Sequence, residues 1–76
     1  MQIEFNTDQF VFSHGRQPKG FGGWAFGTKR NPDTMNSDEC WFTPGAMTYG
    51  EAKKWAKAEA KRRFPEARHG TLYVLS

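Results

Sequence analysis

Thr48-Tyr49-Gly50-Glu51-Ala52-Lys53-Lys54-Trp55-Ala56-Lys57-Ala58-Glu59-Ala60-Lys61-Arg62-Arg63-Phe64-Pro65 is the stretch on which the fold turns. Thr48 and Glu51 have the spacing of a capping box, in which a threonine oxygen satisfies a free amide and the glutamate reaches back to the threonine amide. Pro65 cannot continue a helix and disfavours helical dihedrals at Phe64. A helix over 48–64 follows. At 100° per residue Tyr49, Ala52, Ala56, Ala60 and Phe64 make one stripe, with Trp55 on its flank, while Lys54, Lys57 and Lys61 make another. The alanine seam suits close packing on a sheet. Glu59 and Arg63 form a favourably ordered i,i+4 pair.

Everything around this helix reads as strand, turn or loop. Downstream, Thr71-Leu72-Tyr73-Val74-Leu75 is rich in residues that favour a pleated, half-buried surface. Upstream, Glu39-Cys40-Trp41-Phe42-Thr43 is a strand stopped by Pro44-Gly45. Trp24-Ala25-Phe26-Gly27-Thr28 alternates large and small, so Ala25 and Gly27 share a face on which another backbone can come close. The turn formers Asn31-Pro32-Asp33 and Asn36-Ser37 place a long hairpin loop between these two strands. At the start, Ile3 and Phe5 alternate with polar residues, Asn6-Thr7-Asp8 is turn-prone, and Phe10 and Phe12 alternate around Val11. A first hairpin is the expectation. The predicted fold is α+β: an antiparallel sheet of four to five strands in the order β-β-β-β-α-β, with one amphipathic helix on one face.

Composition constrains the rest. The 76 residues make a single domain, 1–76, since so short a chain cannot bury two cores. Five Ile, Leu and Val stand against twelve Phe, Trp and Tyr, so the core is largely aromatic. No window approaches the length of a membrane span and no apolar signal stretch opens the chain, so a cytoplasmic protein without a membrane partner is expected. One cysteine, Cys40, suits a reducing compartment. The net charge is +3, but residues 51–69 alone carry seven basic and three acidic side chains, leaving −1 on the remainder. A basic segment on a near-neutral domain is either the footprint of a phosphate-bearing partner or a solvated helix face.

Catalytic and metal chemistry find little support. A nucleophile pair of Cys40 with His14 or His69 would need Cys40 exposed and activated, yet Cys40 sits on a predicted strand on the side of Phe42, where a buried thiol is inert. The same three residues have none of the paired spacings of zinc sites. Asp38 and Glu39 are adjacent, so on a strand they face opposite ways and cannot act as a carboxylate pair; they suit the flank of a turn. Gly20-Phe21-Gly22-Gly23-Trp24-Ala25 fits the loose dinucleotide pattern, but no helix follows it, and Phe21 stands where a phosphate-binding loop needs lysine. No catalytic residue, cofactor or metal is expected.

The glycine-rich run from His14 to Gly23 is a shaped loop in which Arg16 and Lys19 stand among backbone amides that suit a phosphate. Within it, Lys19-Gly20-Phe21-Gly22-Gly23-Trp24-Ala25-Phe26 resembles the ribonucleoprotein motif of RNA-recognition and cold-shock domains, departing from it at Gly23 and Trp24. That resemblance implies a platform for stacked bases. Trp24 and Phe26 serve either as platform or as core; Phe21, among glycines, is the exposed ring. The run from Phe12 to Phe26, followed by one helix and a final strand, also resembles small proteins of phages and other mobile elements. It implies either a nucleic-acid-binding accessory or a protein-binding inhibitor of a host nucleoprotein defence complex, of the anti-CRISPR type. The expected function is non-enzymatic binding of DNA or RNA, with Arg16, Lys19, Lys54, Lys57 and Lys61 on phosphates and Phe21 and Trp41 on bases. The alternative is the inhibitor.

Overall fold

The computed structural model describes residues 2–29, 33, 35–36 and 38–75. Asn31-Pro32 and Ser37, which contribute to the expected hairpin loop, lie outside the described residues. The element order is β1 (Gln2–Asn6), α1 (Asp8–His14), β2 (Phe21–Gly22), β3 (Ala25–Gly27), β4 (Cys40–Phe42), β5 (Met47–Thr48), α2 (Tyr49–Arg63) and β6 (His69–Leu75). Four strands form one open sheet in the order β1-β6-β3-β4, and β2 pairs with β5 in a separate ribbon.

The first hairpin does not form. The segment expected to be its second strand is α1, for reasons that lie in its flanks. Asn6 accepts the Asp8 amide through its side chain, which starts the helix, and Asp8 places negative charge in the first turn. Gly15, at φ 71°, ends it in the left-handed region and donates its amide to the Val11 carbonyl. The Phe10/Phe12 alternation carries no strand meaning: on a helix the two rings point about 200° apart, and Phe10 is buried while Phe12 is 91% exposed.

Freed from a hairpin, β1 runs parallel to β6, with Gln2 opposite His69 and Phe5 opposite Leu72. The sheet is therefore mixed rather than antiparallel. β6 sits between β1 and β3, and within this sheet β3 pairs antiparallel with both β4 and β6. The central place of β6 follows from its content, since its Leu72, Val74 and Leu75 are all buried.

Pleat parity assigns the faces. Phe26 is opposite both Trp41 and Val74, and these three side chains share the face covered by α2. Ala52, Ala56 and Ala60 of α2 are buried there, Tyr49 and Trp55 are half-buried at the margin, and Phe64 is 41% exposed. Phe26 meets Phe5 edge-on at 5.7 Å and Trp55 at 6.5 Å. Ala25, Phe42 and Leu75 share the other face, with Gly27, Cys40 and Tyr73 in the next row. The small surface at Gly27 receives a side chain rather than a backbone. A Cβ built there would lie 2.6 Å from Met35 Cε and 3.2 Å from Leu75 Cδ1.

The ends of α2 are those its local sequence specifies. The Thr48 hydroxyl oxygen accepts the Glu51 amide at 3.2 Å, and Glu51 Oε1 accepts the Thr48 amide at 3.1 Å. Those hydrogen bonds from Thr48 hold the Glu51 carboxyl below its ordinary value. The box thus contributes stability above the ordinary glutamate range and loses it as the pH falls through the lowered folded-state value. Thr48→Ala is expected to lower stability by about 1 kcal/mol at neutral pH. In urea titrations the gap between variant and wild type should narrow at strongly acid pH; a gap that does not change would show that Glu51 takes no part.

Candidate nucleic-acid groove

The loop after α1 is pinned at several points. Gln17 accepts the Thr7 hydroxyl at 3.1 Å, and Pro18 is buried. Gly20, at φ 93°, turns the chain in a conformation that disfavours other residues, and its carbonyl accepts the Tyr49 amide at the start of α2. The β2–β5 ribbon continues this attachment, with Phe21 opposite Thr48 and Gly22 opposite Met47. The glycine-rich loop is therefore tied to the end of the sheet where α2 begins.

Trp24 forms the floor at that end. Its amide donates to the Thr43 hydroxyl, its carbonyl accepts the Thr43 amide, and its Nε1–H donates to the Met47 carbonyl at 2.8 Å. The ring stands 5.1 Å from Tyr49 and 5.8 Å from Phe10, which stacks on His14 at 4.1 Å. These contacts make Trp24 core, as its burial shows, and Phe26 is wholly buried.

Between α1, the glycine loop and the sheet face opposite α2 lies an open groove of about 500 Å³. Arg16 and Lys19 line it from the loop, His14 and Phe10 from α1, Phe21 from β2, and Ala25, Phe42 and Leu75 from the sheet. Phe21 is 73% and Phe42 72% exposed. Arg16 and Lys19 make no ion pair among the described residues. The groove therefore combines two available cations with two exposed rings.

The expected site residues divide into three groups. Arg16, Lys19 and Phe21 are brought together on the groove. Trp41 is not presented to a ligand: it is 2% exposed, donates its Nε1–H to the Asp38 carbonyl, and lies beneath Arg63 at 5.2 Å and beside Phe64. On a strand, neighbours face opposite ways, so burying Trp41 under the end of α2 turns Phe42 outward to the groove. Phe42 and His14 are groove residues that the sequence reading left out; the adjacent pair Trp41-Phe42 was the available signal, since only one of two neighbouring strand aromatics can enter the core.

Lys54, Lys57 and Lys61 are exposed, but none of them lines the groove. Lys54 and Lys61 project from the side of α2 turned away from the buried alanines and Lys57 from its flank, whereas the groove opens on the opposite sheet face. Lys57 Nζ lies 6.0 Å from the Phe5 ring centre, and Lys54 is close enough to Glu51 to help lower its carboxyl. Arg62 and Arg63 are held by Glu59, at 2.9 and 3.0 Å, and in turn they depress the Glu59 carboxyl, Arg62 more strongly.

Cys40 is half-buried on the face it shares with Phe42, and burial pushes its thiol up, away from the thiolate a nucleophile needs. His14 lines the groove while His69 begins β6, and no hydrogen bond among the described residues joins either to Cys40. Glu39 closes the β3–β4 loop, accepting the Thr28 hydroxyl and pairing with Lys29 at 3.2 Å. Among the described residues no cluster of potential metal ligands occurs, and no helix is long and apolar enough to cross a membrane.

No family model, curated protein or solved structure matches this chain.

Proposed function

We propose that this chain is a small non-enzymatic nucleic-acid-binding module that takes an unpaired segment of DNA or RNA into the groove. Arg16 and Lys19 contact backbone phosphates, and Phe21 and Phe42 stack on bases. The observation that carries this reading is the convergence of two exposed rings, Phe21 and Phe42, and two cations, Arg16 and Lys19, on one groove. Stacking suits unpaired bases because every base has a π-face, and it contributes about 1–3 kcal/mol per base.

A fluorescence-anisotropy titration with single-stranded and duplex oligonucleotides at two salt concentrations tests it. Saturable binding of the single strand is expected, with log affinity falling by about 0.7 per phosphate contact for each unit of log salt. Phe21→Ala with Phe42→Ala should weaken it by about 1–3 kcal/mol per ring lost. Both rings are exposed, so the fold should tolerate the change. Single-strand affinity unaltered in the double variant would reject the groove.

A second reading, a protein-binding inhibitor of a host nucleic-acid-handling complex, is favoured by Phe12, whose ring on α1 is 91% exposed. Aromatic side chains anchor many protein interfaces. Absence of any nucleic-acid binding at low salt would move the assignment to it.

A further inference from the structure

We propose that the chain carries a second phosphate-binding surface, on the outward side of α2, and that it holds a nucleic-acid duplex there while the groove holds an unpaired strand. The inference rests on the groove reading and adds a bridging role to it. Its basis is that none of Lys54, Lys57 and Lys61 lines the groove that holds Arg16 and Lys19, so the chain presents two distinct basic surfaces.

Lys54, Lys57 and Lys61 lie within about 10 Å along the helix axis, at 1.5 Å per residue. Among the described residues neither Lys57 nor Lys61 makes an ion pair. The acids of α2 are engaged elsewhere: Glu51 caps the helix at Thr48, and Glu59 is held by Arg62 and Arg63. Net positive charge is thus left on the stripe. The chemistry of this surface differs from that of the groove. The one aromatic residue between positions 54 and 61, Trp55, is half-buried with its ring 6.5 Å from that of Phe26. A surface of lysines whose neighbouring rings, Trp55 and Phe5, are both half-buried against the core matches a partner that exposes phosphates and conceals its bases, which is a duplex.

Capture on a tethered strand tests this. Oligodeoxythymidylate is fixed to beads, the protein is added, and a fluorescent mixed-sequence DNA duplex follows at low salt; retained protein and retained duplex are read separately. Wild type is expected to be retained and to capture the duplex. Lys54→Gln, Lys57→Gln and Lys61→Gln together should leave protein retention within about twofold, while duplex capture falls by roughly tenfold or more, as loss of three phosphate contacts requires. Glutamine is a good helix former and the positions are exposed, so folding is preserved. Wild type retained without duplex, or equal capture by the triple variant, would overturn the bridging role alone. Wild type not retained on the strand would overturn the groove reading, and bridging with it.

Discussion

Phe26→Ala is expected to remove about 3–5 kcal/mol of stability, the range for truncating a fully buried phenylalanine. For a chain of 76 residues the whole stability is about 4–11 kcal/mol, so the variant should be largely unfolded or close to it. The physical reason is the ring's position. Phe26 is 0% exposed at the middle of β3, with Val74 and Trp41 beside it, Phe5 meeting its ring edge-on, and Trp55 reaching it from α2. Few branched aliphatic residues are present to relax into the space, so the cavity should persist. Urea unfolding followed by tryptophan fluorescence measures the loss. A destabilisation under about 1.5 kcal/mol would mean that the ring is not the centre of the core.

Trp41→Ala separates core from ligand surface on a single short strand. It is expected to cost about 3–5 kcal/mol, because the ring is 2% exposed beneath Arg63 and Phe64 and its indole hydrogen bond holds the Asp38 carbonyl. Truncation loses the packing, removes the surface under the Arg63 guanidinium, and frees the turn that starts β4. Phe42→Ala, one residue away, should change stability by less than about 0.5 kcal/mol, as exposed substitutions generally do. Thermal unfolding should place the Trp41 variant at least about 10 °C below the Phe42 variant, given roughly 4–8 °C per kcal/mol in a domain of this size. Equal midpoints would reverse the assigned faces of β4. Because Trp41 was expected from sequence to stack on bases, any loss of nucleic-acid binding in its variant must be read against this loss of fold.

How far each feature could be read from sequence depended on how many residues hold its signal. α2 was legible at both ends because a capping box spans four residues and a proline acts on its immediate neighbour. The strand at Ala25–Gly27 and the strand at Cys40–Phe42 were legible from alternation between breakers, and the final strand from its β-branched and aromatic run. The residues of α1 gave two conflicting local signals. Phe10 and Phe12 imitate a strand, whereas Asn6 before Asp8 and Gly15 after His14 bound a helix. The bounding residues were the better guide, since they satisfy backbone groups directly. The glycine loop was legible as a basic, shaped segment bearing Phe21, and three of the seven expected site residues do meet on one groove.

An α+β domain with an aromatic core, a helix from Thr48 to Phe64 and a lysine stripe along it apart from the alanine seam were determined by the sequence alone, because propensity, capping and composition act over a few residues. The tertiary structure decided which strands are neighbours: β1 lies parallel to β6 from the far end of the chain, a pairing set by shared burial rather than by any turn between them. That arrangement, with the seating of α2 on one face, also chose Trp41 for the core and Phe42 for the groove. It placed Arg16 and Lys19 on the groove and left Lys54, Lys57 and Lys61 off it, since the direction a charge faces depends on what the rest of its element buries.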